Sequence, residues 1–207
     1  MPQPNPYANA PKLPEGDELD PAVVLGGEGP FELEIGPGRG GFLFERLAAS
    51  PEVRLLGLEI RRKWATIVDD RLRARGLGAR ARVFAEDARF ALPRLRAASI
   101  RGVFIHFPDP WWKKRHHKRL VASRDLLHEV VRVLVPGGEL FFQTDVQERA
   151  EQFDVLVSSV PELAPWGASA HIVENPYGAM SPRERRAVAD GLPITRLRYR
   201  RRETPSP

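Results

Sequence analysis

Four acids follow short apolar runs along the chain: Glu34 in FELEIGPGRGG, Glu59 in RLLGLE, Asp87 in RVFAED and Asp109 in IRGVFIHFPDP. A short apolar run bounded by turn residues reads as a buried strand, so the four acids predict an acidic rim at successive strand ends. The first run passes into glycines. The last is followed by two tryptophans and a dense cationic stretch, WWKKRHHKR, from Trp111 to Arg119. Carboxylates accept hydrogen bonds and pair with cations, whereas aromatic and basic side chains hold bases and phosphates. The chemistry implied is a cationic, hydroxyl-bearing small ligand on the rim and a polyanion nearby.

The glycine loop narrows the small ligand. Gly36, Gly38 and Gly41 satisfy the dinucleotide spacing G-x-G-x-x-G, while Gly36, Gly38 and Gly40 equally satisfy the G-x-G-x-G loop of S-adenosylmethionine enzymes. Spacing leaves both open, so charge decides. A pyrophosphate wants amide donors without an anion alongside, and Glu34 lies two residues before the first glycine. An ammonium and a sulfonium are better served there. Glu59, about twenty residues on, is placed to accept from ribose hydroxyls, and Asp87 from an adenine amine. Taken singly, each acid would be an ordinary solvated strand-end residue; together with the loop they favour S-adenosyl-L-methionine. No Gly-Lys-Ser/Thr follows, which excludes a Walker phosphate loop.

Asp109 lies between Pro108 and Pro110, which stiffen it. Trp111 offers a face on which a base could stack, although a strand-end tryptophan packed on the core is nearly as good a reading; Trp112 reads as packing or a phosphate-side contact. Lys113, Lys114, Arg115, Lys118 and Arg119 open the next helix. Cations there oppose the helix dipole unless an anion arrives, and phosphate is the obvious anion. His116 and His117 are adjacent, so their side chains diverge, and no further ligand cluster appears; no metal site is expected.

These residues need a scaffold. Strands are predicted at 31–35, 54–58, 82–85, 100–107 and 139–144, with helices at 40–49, 61–75, about 88–95, 119–135 and 147–160. Pro136-Gly137-Gly138 is expected to stop the fourth of these helices. Residues 194–202 alternate Arg196, Arg198 and Arg200 with Leu197 and Tyr199, which predicts a last antiparallel strand at or near the sheet edge. Its basic face would serve edge protection or RNA contact. Strand–helix alternation implies an open, mostly parallel α/β sheet with ligands beyond the carboxyl ends of the strands. Residues 1–22 are proline-rich and read as an irregular arm; 23–203 read as one domain, a size suited to the 207-residue chain. Net charge is +5, and there is no cysteine, which excludes disulfides and thiolate metal sites. No segment has the apolar length of a membrane span. A cytoplasmic protein is expected.

The runs IHFPDPWWKKRHHKRLV and LEIGPGRGGFL resemble the bacterial tRNA (guanine-N7-)-methyltransferase family of the TrmB type, whose motif is close to FPDPWPKKRHHKRR; Trp112 stands where the family has proline. The resemblance covers almost all of the chain after the arm. It continues in Gln143-Thr144-Asp145 and ends in SPRERRAVADGLPITRLRYR, which is similar to the family's T-x-Y/F-E…G-x-x-I-Y-R close. Ser181 there replaces Thr, Arg183 an aromatic and Thr195 a Tyr. The resemblance implies a Rossmann-like class I methyltransferase, with a mostly parallel seven-stranded sheet, helices on both faces and an antiparallel last strand. It implies S-adenosyl-L-methionine as cofactor, held by Glu34, Gly36, Gly38, Glu59, Asp87 and Asp109, with Asp109 also catalytic. It places Lys113, Asp145 and Ser181 through Glu184 at the substrate, which is guanine 46 of the tRNA variable loop. A monomer or weak homodimer is expected. Two other classes stand beside this one: a non-catalytic RNA-binding module on the same scaffold, and an NAD-dependent oxidoreductase supported only by the ambiguous glycines.

Overall fold

The computed structural model of the chain describes residues 5–108 and 123–203. Asp109, Trp111, Trp112, Lys113 and the rest of the cationic stretch lie outside them, as does the predicted start of the helix at residue 119.

Five parallel strands form the body of the sheet: β1 (Phe31–Ile35), β2 (Arg54–Leu58), β3 (Ala81–Phe84), β4 (Ile100–His106) and β5 (Leu134–Thr144). Crossovers run through α2 (Gly41–Ala49), α3 (Arg62–Ala74), the short α4 (Ala88–Ala91) with a 3-10 turn at Leu92–Arg94, and α5 (Arg124–Val133). Beyond β5 come α6 (Gln147–Ser158), β6 (Leu163–Pro165), β7 (His171–Ile172), α7 (Pro182–Ala189) and β8 (Thr195–Arg201). The strand order is β3-β2-β1-β4-β5-β8-β6, with β7 also paired to β8. The sheet is therefore mostly parallel with antiparallel strands near the C-terminus. Among the described residues it has eight strands, one more than expected, because two- and three-residue strands leave no legible alternation.

The two-residue period of β1 sorts its side chains. Leu33 and Ile35 enter a core shared with Leu92, Leu127, Val130 and Phe153, whereas Glu32 and Glu34 face α2 and the aromatic cluster of Phe42, Phe104, Phe141 and Tyr177. Glu32 is fully buried and receives a fork from Arg46 of α2 (2.9 and 2.7 Å) and a further bond from Arg101 (2.7 Å). That buried cluster ties α2, and with it the end of the glycine loop, to the middle of the sheet. Residues of the N-terminal arm also join the body: Leu13 and Leu19 are buried, and the short α1 (Pro21–Leu25) starts on an Asp20 cap.

Two expectations change. Pro136-Gly137-Gly138 does not stop the helix, which ends at Val133. Leu134 already pairs with Ile100, and the ladder resumes at Glu139–Gly102, so the Pro-Gly-Gly triplet bulges out within β5. Gly137 adopts a φ of +73°, a left-handed conformation that glycine takes without strain. β8 is antiparallel and lies near the sheet edge, as expected, covered there by the short β6. Its arginines are not a free basic face. Arg196 is paired with Glu184 and Arg198 with Glu139, so much of that charge neutralises buried acids.

Candidate active site

The rim is built at the carboxyl ends of β1, β2 and β3. Gly36, Gly38 and Gly40 have φ of +75°, +54° and +75°, so the turn out of β1 uses the left-handed conformation three times. Gly40 caps α2, and a Cβ there would meet Val68 at 2.7 Å. The conformational demand thus follows the G-x-G-x-G reading. Gly41 matters for another reason: a Cβ on it would lie 2.5 Å from the ring of Pro182, where α7 abuts the loop.

Glu34 is 2% exposed. One of its oxygens lies 3.0 Å from His106 Nδ1, and the other has no hydrogen-bond partner among the described residues. Nε2 of the buried His106 is likewise unpartnered. His106 packs on Phe42 with ring centroids 4.2 Å apart, which holds it against Glu34. Sequence reasoning passed over this histidine. The strand period puts Phe104 and His106 on one face, but only the pairing of Phe104 with Glu34 shows that this face meets the acid.

Glu59, at the end of β2, reaches back to the loop: its Oε2 accepts from the Gly38 amide at 2.9 Å, while Oε1 accepts from the Arg61 amide at 2.9 Å and from Arg61 Nε at 3.1 Å. Asp87 caps α4 by accepting from the Arg89 amide at 3.0 Å, and the Arg89 side chain forks onto it. That hydrogen bonding outweighs burial and pushes the Arg89 guanidinium further above its ordinary pKa. The three acids thus share one end of the sheet. Exposed Arg39 and Lys63 flank Trp64 beside them, at 4.9 and 5.5 Å from its ring centroid.

The chain leaves β4 through Phe107, whose φ of +45° is rare for a bulky residue. Its amide donates to the Gln143 carbonyl at 2.8 Å, and the buried Arg149 donates to the Pro108 carbonyl at 2.8 Å. These bonds set the direction in which the chain enters the FPDPWW segment.

Asp145 ends the β5 region, and Arg183 pairs with it. Ser181 is the N-cap of α7, its hydroxyl accepting from the Glu184 amide at 3.1 Å. Glu184 is fully buried and binds Gln143, Asn175 and Arg196. Both side chains are thus committed to holding α7 at the rim. The Ser-Pro-x-Glu spacing marks a helix start, but only half of a capping box forms: the Ser181 hydroxyl caps the Glu184 amide, while the Glu184 carboxylate turns to Gln143, Asn175 and Arg196. The Arg183–Asp145 pair was not legible, because the two positions meet only in the fold.

Among solved structures, the fold is similar to a SAM-dependent O-methyltransferase from Thermotoga maritima (TM-score 0.54, 14% identity, covering 87% of this chain and 62% of that one). It is also similar to the 16S rRNA methyltransferase KamB (TM-score 0.57, 15% identity, 84% and 88%). Residues 28–197 match a family model described as a putative methyltransferase. The tRNA (guanine-N(7)-)-methyltransferase of Myxococcus xanthus is 40% identical over 84% of each chain. That of Anaeromyxobacter dehalogenans is 40% identical over 82% of this chain and 85% of its own, and that of Rhodopirellula baltica 36% over 89% and 70%. The fold is that of a class I methyltransferase, and by its similarity to these relatives the chain belongs to the tRNA (guanine-N(7)-)-methyltransferase family.

Proposed function

We propose that the protein transfers the methyl group of S-adenosyl-L-methionine to N7 of a guanine in tRNA, and that this guanine is residue 46 of the variable loop. The observation that carries the reading is Glu34: a buried carboxylate beside the glycine loop with one oxygen on His106 and the other without a hydrogen-bond partner among the described residues. A buried acceptor left unpaired is costly, and an ammonium would satisfy it.

The rim residues fit that group. Glu34 would hold its ammonium, Glu59 its ribose and Asp87 its adenine amine, with Gly36 and Gly38 allowing close backbone approach. Asp109 and Lys113 are assigned from the sequence motif alone. When bound, S-adenosyl-L-methionine supplies an electrophilic methyl on a sulfonium. Guanine N7 has an in-plane lone pair and no proton, so the chain needs no strong base. Its residues must position the base and offset the positive charge that develops on it. Asp145 is suited to the N1–H and N2–H donors of the guanine edge, and Asp109 to the developing charge. Ser181 and Glu184 act by placing the start of α7. The exposed Arg39 and Lys63, with the Lys113–Arg119 stretch, suit a polyanion.

A dinucleotide is the weaker reading, because the Gly38 amide that a pyrophosphate would want donates to Glu59 instead. A non-catalytic RNA-binding module would have no use for a half-paired buried Glu34. With tRNA as substrate the protein would work in the cytoplasm, as a monomer or weak dimer, with residues 23–203 as one methyltransferase domain. The test is methyl transfer to unmodified tRNA transcripts followed by borohydride and aniline, which cut the chain at N7-methylguanine. A single cut in the variable loop is expected; methyl transfer without a cut would move the target to another atom.

A further inference from the structure

Arg183 stands in the first turn of α7 with its side chain 51% exposed, facing Asp145, whose side chain is 15% exposed. Its Nε donates to Asp145 Oδ2 at 3.1 Å, and its Nη2 donates to Oδ1 and Oδ2 at 3.0 Å each. Both carboxylate oxygens are therefore used. The guanidinium also lies 5.5 Å from the centre of the Phe107 ring. The backbone beneath is fixed: Ser181 caps the helix, Pro182 abuts Gly41, and the buried Glu184 is bonded to β5, to β8 and to Asn175 of the loop before α7. The Arg183 side chain is the part with room to leave.

Guanine carries a guanidine fragment in its ring. Its N1–H and N2–H donors form the same parallel fork that a guanidinium presents to a carboxylate. A carboxylate that receives one fork across both oxygens has no equivalent face for a second. On the reading that Asp145 accepts the guanine edge, on which this inference rests, Arg183 sits where the base must sit. Its fork is on the acid, and its charge is near an aromatic ring that begins the FPDP segment.

We propose that Arg183 is a specificity-determining residue: its guanidinium occupies the guanine seat on Asp145 and vacates it when a phosphate of the tRNA chain draws it away. Arginine pairs with phosphate through the same fork, so the exchange trades one charge-assisted contact for another. Guanine offered without a phosphate chain must displace Arg183 unaided. Its apparent affinity falls by the fraction of protein in which the seat is open. Base capture thereby depends on the polynucleotide as well as on the base.

The test measures guanosine as a competitive inhibitor of tRNA methylation, and the salt dependence of KM for tRNA, in the full chain and its Arg183→Gln, Arg183→Lys and Asp145→Asn variants. Arg183→Gln is expected to lower the guanosine inhibition constant about tenfold, through the opened seat, and to leave that of adenosine unchanged. It is also expected to reduce the slope of log KM against log salt by about 0.7, the share of one phosphate contact. Arg183→Lys keeps the charge without the fork, so it is expected to bind guanosine better while keeping the salt slope. An unchanged guanosine constant, or no measurable inhibition in any of the proteins, overturns the proposal; so does an unchanged salt slope in Arg183→Gln. Asp145→Asn separates the two levels. Wild-type methylation in that variant removes Asp145 from the guanine site altogether. A loss of methylation there with no response to Arg183→Gln defeats the Arg183 proposal alone.

Discussion

Glu34 is the residue on which cofactor chemistry turns. Its carboxylate is buried, bonded on one side to His106 and, among the described residues, unpaired on the other. Replacing it by glutamine keeps the shape and removes the charge. Hydrogen bonds to charged groups contribute about 1.5–3 kcal/mol, so Glu34→Gln is expected to weaken binding of S-adenosylhomocysteine about 10- to 150-fold, read by titration calorimetry. The free protein should keep its melting temperature, because a buried half-paired charge is not a stabilising feature by itself. Unaltered affinity would detach Glu34 from the ligand. The acid and its place before the glycines were legible in the sequence. Its partner His106 was not read, since an imidazole at a strand end has no signature until the facing strand is known.

At the scale of elements, the site depends on where α7 starts. No local signal places residues 182–189 beside residues 36–41; the contact is made by Pro182 against Gly41 and secured by Glu184 in the sheet. Gly41→Ala puts a methyl 2.5 Å from a rigid proline ring. The helix start must then shift, at a cost of about 1–3 kcal/mol for overpacking. The expected outcome is an unfolding free energy lowered by that amount in denaturant titration and a kcat/KM for tRNA reduced at least tenfold, with Asp145 and Arg183 displaced relative to the loop. A variant with wild-type turnover would show that α7 does not shape the site. The β5 bulge and the covering of β8 by β6 belong to this scale too. Pro136-Gly137-Gly138 reads as a stop in isolation, and only the resumption of pairing at Glu139 makes it a bulge.

For the whole molecule, the sheet buries two phenols that link stability to pH. Burial pushes Tyr177 above the ordinary tyrosine range, and the neighbouring Glu139 carboxylate adds to the shift, although the hydroxyl closes no hydrogen bond among the described residues. Tyr199 is raised by burial and by its 2.6 Å hydrogen bond to Asp154. The unfolded chain ionises both near pH 10, while the folded chain keeps them protonated. Their contribution is fully present below pH 10 and is lost as pH rises beyond it, by about 1.4 kcal/mol per pH unit for each tyrosine. Unfolding free energies measured by denaturant from pH 9 to 11.5 should show this fall. Tyr177→Phe should remove one tyrosine's share of the slope; an unchanged slope would mean that Tyr177 titrates normally in the folded protein.

The strand–helix alternation, the glycine loop and three of the rim acids were determined by the sequence alone, because each rests on local periodicity or on a turn that few residues can make. The tertiary structure decided what those residues meet. It turned the arginines of β8 from a free basic face into partners of Glu139 and Glu184, and it gave Ser181 and Glu184 the task of holding α7. It also joined Asp145 to Arg183 across 38 residues of chain. Such pairings follow from strand order and crossover packing, where a carboxylate and a guanidinium become neighbours through contacts that no short window of sequence contains.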